Sequence, residues 1–85
     1  MITRDLVMDK LVRYLNGRIS LAELVDWAEK ALAEAEVPPE DAEVISSALA
    51  RLGLADVRAF GLTWEDAQEI LASLGYRTYV EARPA

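Results

Sequence analysis

Ser20-Leu21-Ala22-Glu23-Leu24-Val25-Asp26-Trp27-Ala28-Glu29-Lys30-Ala31-Leu32-Ala33-Glu34-Ala35, followed by Glu36-Val37-Pro38-Pro39, is the stretch that decides the fold. The Ser20 hydroxyl and the Glu23 carboxylate have the spacing of a capping box, in which each side chain takes the other residue's backbone N–H. Leu21, Leu24, Val25, Ala28, Ala31, Leu32 and Ala35 then recur at helical spacing and predict an amphipathic helix with small residues set toward a core. The prolines end it, because the first disfavours helical geometry at Val37 and the second suits the opening of another helix. Glu23, Asp26, Glu29 and Glu34 make the opposite face acidic. Trp27 falls about a quarter turn off the apolar stripe, at the boundary with that face. An aromatic in such a place either covers the edge of a small core or anchors a binding partner.

Helices are predicted on both sides of this one. Upstream, Thr3 caps a helix whose stripe is Val7, Leu11, Tyr14 and Leu15, widened by Met8 and Val12, and Asn16-Gly17 ends it. Downstream, Glu40 and Asp41 suit a helix N-terminus electrostatically. That third helix buries Ile45, Ala48, Leu49 and Leu52, with Val44 at the edge, and Gly53 stops it. The segment from Leu54 to Leu62 carries Val57 and Phe60 and has room for one helical turn. Thr63-Trp64-Glu65-Asp66 repeats the capping pattern ahead of a fourth helix through Ala67, Ile70, Leu71 and Leu74 to Gly75, with Trp64 assigned to the core. Tyr76-Arg77-Thr78-Tyr79-Val80-Glu81 is aromatic and β-branched and reads as a strand. Its partner is either the stretch around Val57 to Leu62 or the same segment, Tyr76 to Val80, of a second copy in a two-fold homodimer. The fold expected is all-α, a compact four-helix orthogonal bundle with a short C-terminal strand, forming a single domain over 1–85.

Composition narrows the function. At 85 residues the chain fits one small core, and domains of this size gain from association. With no cysteine and no histidine, there is no thiolate zinc site, no thiol nucleophile and no imidazole base. The formal net charge is −6, and eight acids against Lys30 alone place −7 of it between Glu23 and Glu43. Such a stretch repels a phosphate backbone, so nucleic acid is not expected as a partner. Met1-Ile2-Thr3-Arg4-Asp5 does not read as a signal peptide and no run is long and apolar enough for a membrane helix, so a cytoplasmic location without membrane contact is expected. Arginine-rich, alanine-rich and amide-poor composition points to a GC-rich or thermophilic source.

Carboxylates are the only catalytic groups present in number. Glu40, Asp41 and Glu43 cluster, as do Glu65, Asp66 and Glu69. Both sets sit in the first turn of a predicted helix, where the dipole favours acids without any chemistry. Neither the calcium-loop pattern nor the Glu-x-x-His pair of di-iron bundles occurs. The four glycines stand singly, so no phosphate loop exists, and Ser46-Ser47 has no base beside it. No catalytic residue, metal ligand or cofactor site is expected.

The run from Tyr14 to Ala28, which reads YLNGRISLAELVDWA, with Leu62-Thr63-Trp64-Glu65-Asp66 and Leu74-Gly75-Tyr76, resembles small uncharacterised bacterial proteins. These share a YLxGxISxxELxxWA opening and an LTWED segment. The resemblance covers most of the chain and implies a compact helical fold with no assigned activity. In size and charge the chain is also similar to colicin-type DNase immunity proteins, acidic four-helix domains that cover a basic nuclease, although their paired-tyrosine motif is not found here.

The function expected is a non-catalytic protein–protein interaction domain, inhibitor-like or immunity-like, that presents an acidic helical face to a basic protein. Trp27, Glu34, Glu36, Glu40, Asp41 and Glu43 are its candidate residues. The alternative is a small regulatory or nucleic-acid-associated module using Arg4, Arg13 and Arg18, or Arg51 and Arg58.

Overall fold

A computed structural model describes residues 1–34, 36–57, 61–79 and 81–84. Among these the protein is mainly helical: α1 is Arg4–Leu15, α2 is Leu21–Glu34, α3 is Ala42–Gly53 and α4 is Trp64–Ser73, with a 3₁₀ turn over Pro39–Asp41 leading into α3. The Cα radius of gyration is 12.6 Å. A compact chain of this length is expected at about 12 Å.

Local chemistry sets the helix starts. The Thr3 hydroxyl accepts the Leu6 N–H at 3.2 Å. At α2, the Glu23 N–H donates to Ser20 Oγ at 3.0 Å and the Ser20 N–H donates to Glu23 Oε1 at 3.1 Å, completing the predicted box. At α4, Thr63 and Asp66 form the same reciprocal pair at 2.9 and 3.1 Å. Asn16 caps the end of α1, and Gly17 follows with φ +72°, a backbone region that disfavours a Cβ. Gly53 behaves differently from its sequence reading. It is the last residue of α3 and lacks positive φ, while Leu54 caps the helix by donating to the Arg51 and Leu52 carbonyls.

Packing centres on α2 against α3, with α1 touching both and α4 resting on α3. The buried set joins Val7 and Leu11 of α1, Leu24, Ala28 and Ala31 of α2, Ile45, Ala48, Leu49 and Leu52 of α3, and Ala67, Ile70 and Leu71 of α4 with Leu74 beyond it. Every buried residue among those described is apolar. Two residues outside the predicted stripes, Ile2 and Ala55, are also buried. Ile2 is held by its N–H to the Glu36 carbonyl at 2.8 Å, which ties the chain start to the α2–α3 turn.

Three readings are corrected. Leu32, assigned to the core face of α2, is 48% exposed. It lies in the last turn on the Val25 edge of the stripe, while Ala31 takes the inward place. Trp64, assigned to the core, is 42% exposed, because a side chain in a helix's first turn leans toward its N-terminus, and it lines a surface groove with Val12, Leu15 and Leu71. The expected strand is not formed by the described residues of its segment, Tyr76–Tyr79 and Glu81. Its first residue is drawn back to the helix, with the Tyr76 N–H bonded to the Leu71 carbonyl at 2.9 Å. Val80, and Arg58, Ala59 and Phe60 of the proposed in-chain partner, lie outside the described residues, as does Ala35 at the predicted end of α2.

Candidate interaction face

Of the six residues singled out in the sequence, Trp27 and Glu34 lie on α2, Glu36 in the turn after it, Glu40 and Asp41 in the 3₁₀ turn and Glu43 in the first turn of α3, where it lines a separate recess with Arg51 and Ile70. Trp27 is half-buried and packs on the core edge, and Lys10 of α1 holds its ammonium 5.6 Å from the indole centroid. That distance lies within cation–π range. Trp27 and Glu34 line one shallow depression together with Ile2, Lys30 and Ala31. An apolar floor there is rimmed by one acid and one base. Glu36 follows in the turn, exposed, with its carbonyl engaged by Ile2.

The acids fall into two groups by their relation to the helices. Glu40, Asp41 and Glu43 occupy the 3₁₀ turn and the first turn of α3, where partial positive charge stabilises them. Glu34 is the last residue of α2, at the carbonyl end of the dipole, where a negative charge is disfavoured by about 0.3–1 kcal/mol. Local stability therefore explains the first group and not Glu34. Among the described residues, Glu34, Glu36, Glu40 and Glu43 form no ion pair, and all four are exposed.

Asp41 is different. Its Oδ1 lies 2.8 Å from Arg4 Nη2 and accepts from Arg4 Nε at 2.9 Å, and Arg4 Nη1 also donates to the Leu74 carbonyl at 3.2 Å. Asp41 is thereby spent on joining α1, α3 and the end of α4. Sequence reading missed this because the two residues are 37 positions apart.

Other ion pairs take up most of the arginines named for the nucleic-acid alternative. Arg13 pairs with Asp9 at 2.9 Å, and Arg51 reaches Asp66 at 3.1 Å and Glu69 at 3.3 Å. Arg18 has no ion pair among the described residues, and Arg58 lies outside them. The same contacts divide the two acid clusters, since Asp41, Asp66 and Glu69 each face an arginine. Among the described residues, no group of three or more acids converges to hold a metal ion. None of the described helices is long and apolar enough to cross a membrane.

Comparison with family models, with curated proteins and with solved structures finds no match to this chain.

Proposed function

We propose that this chain is a non-catalytic interaction domain, inhibitor-like or immunity-like. Its four helices, packed as an orthogonal bundle, present Glu34 beside Trp27 and, further along the chain, the exposed Glu36, Glu40 and Glu43 to a basic protein. The observation that supports this most is Glu34, exposed at the disfavoured end of α2 and sharing an apolar depression with Trp27. The Trp27 floor suits an apolar side chain, and Glu34 on its rim, beside Lys30, suits a neighbouring lysine or arginine. Fixed acids would steer such a partner and raise its association rate, with strong dependence on salt. Asp41 belongs to the scaffold in this reading, and its neighbours meet the partner.

Affinity capture from the source organism's lysate tests the proposal with two baits, the wild-type chain and a Glu34→Lys, Glu36→Lys, Glu40→Lys variant that leaves Asp41 and Arg4 in place. A basic protein held by the wild type at low salt, released at higher salt and lost by the folded triple variant is the expected result. Capture that is equal with both baits sinks the reading.

A further inference from the structure

The end of α1 and the start of α4 bound a groove of about 700 Å³ that shares no lining residue with the Trp27–Glu34 depression. Leu15 and Leu71 give it apolar surface, and Trp64 gives it an indole open to solvent. Tyr79, beyond the turn at Gly75, adds a second ring and is 78% exposed. Two aromatic side chains in water beside aliphatic surface make a place where a flat apolar body would be held by ring contacts. Small-molecule sites take this form, a cavity of about 300–1,000 Å³ with aromatic lining and a few polar groups that fix orientation.

The polar groups of the groove select the ligand's charge. Arg18 lines it beside the Asn16 amide, just past the end of α1. All 15 aspartates and glutamates of the chain are among the described residues, and none forms an ion pair with Arg18. Glu81, the acid of the lining, is held by Arg83 at 3.1 Å, so Arg18 is the charge left uncompensated. Glu65 follows Trp64 in sequence but does not line the groove. On a chain with a formal net charge of −6, an unpaired guanidinium beside exposed aromatic rings is suited to an oxyanion, which its planar fork takes bidentately. We propose that this groove binds a small aromatic anion, an aryl carboxylate or its sulfonate analogue, with the rings against Trp64 and Tyr79 and the charged group at Arg18 and Asn16. A neutral aromatic gains the ring contacts alone, and a cation is repelled by Arg18. The site does not involve the acidic face, and the two proposals stand independently.

Fluorescence titration of the full chain with anilinonaphthalenesulfonate, an aromatic anion that lights up on apolar surface, tests the site, with its uncharged counterpart N-phenylnaphthylamine as the comparison. Wild type is expected to bind one anion per chain with a Kd of about 10–100 μM, and about tenfold more tightly than the neutral compound. Arg18→Glu is expected to abolish that preference, weakening the anion by about tenfold or more and leaving the neutral compound unchanged. Arg18→Lys keeps the charge without the fork and should retain part of the preference. Trp64→Ala should weaken both compounds by about tenfold. Arg18 is exposed and joins no ion pair among the described residues, so its variants keep the fold, which cooperative melting at the wild-type temperature verifies. Absence of saturable anion binding by the wild type up to about 1 mM overturns the proposal. So does equal affinity for the two compounds, which would reduce the groove to an apolar patch, or anion binding indifferent to Arg18→Glu, which would place it elsewhere on the chain.

Discussion

Arg4 and Asp41 meet at 2.8 Å and bind the first turn of α1 to the entry of α3, and the same guanidinium extends to the Leu74 carbonyl at the end of α4. One side chain thus spans three elements of a core that contains no polar residue among those described. The pair is partly screened, with side chains 39% and 23% exposed. A discounted ion pair and one hydrogen bond to a carbonyl together are worth about 1–2 kcal/mol. Arg4→Ala is therefore expected to lower the unfolding free energy by that amount, read as a fall in the urea midpoint at unchanged m. Arg4→Lys should recover at most half, because a single ammonium cannot serve the carboxylate and the carbonyl together. Equal midpoints for all three proteins would show that the bridge carries no stability.

At α4 the cap is the controlling feature. The Thr63 backbone N–H and hydroxyl, with Arg51 nearby, hold the Asp66 carboxyl below the ordinary aspartate range. A depressed folded-state value means that the contribution is complete above the unfolded value of about 3.9 and is lost as pH falls through the lower folded one. Asp66→Asn is expected to melt earlier than wild type at neutral pH and to converge with it as the pH falls through the folded-state value. Thr63→Ala removes the hydroxyl half of the box and should cost about 1 kcal/mol at neutral pH. Parallel melting curves for wild type and Asp66→Asn across the acid range would contradict the assignment.

Tyr76 gives the opposite pH signature. Its hydroxyl donates to the Asp5 carboxylate, and that bond, then partial burial and the Asp5 charge, push the phenol above its ordinary value. A raised folded-state value contributes stability that is present below the unfolded value of about 10 and is lost as pH rises through the folded one. Tyr76→Phe should therefore be less stable than wild type at pH 7, with the gap closing above about pH 10. Thermal melts at both ends of that range decide it, and a gap that persists in alkali would assign the effect to packing instead.

What could be read from the sequence was what depends on near neighbours. The boxes at Ser20–Glu23 and Thr63–Asp66, the Thr3 cap and the buried stripe of α3 involve residues within a turn or two of one another, and all are found as expected. The exposure of Trp64 and Leu32 was not legible, since spacing places both on apolar stripes and only the extent of the neighbouring elements decides whether a helix end is covered. The site was legible in composition but not in allocation. Asp41 and its acidic neighbours look alike in sequence, and only the fold brings Arg4 to Asp41 and leaves Glu36, Glu40 and Glu43 exposed.

Leu32 and Leu49 test that distinction with one residue type. Both satisfy the helical periodicity of their segments, yet Leu49 is 1% exposed and Leu32 is 48% exposed. Truncating a buried leucine removes its transfer energy and leaves a cavity, so Leu49→Ala should cost about 3 kcal/mol. A domain of this size holds only about 5–10 kcal/mol in total, so that loss takes a large fraction of the fold's stability. Leu32→Ala should stay within about 0.5 kcal/mol, because the side chain is already half in water and alanine is the better helix former. Chemical denaturation of the two variants side by side provides the comparison. A Leu32 loss approaching that of Leu49 would mean that the last turn of α2 is covered in solution, by a second copy or by a bound partner, and concentration dependence of the loss would identify which.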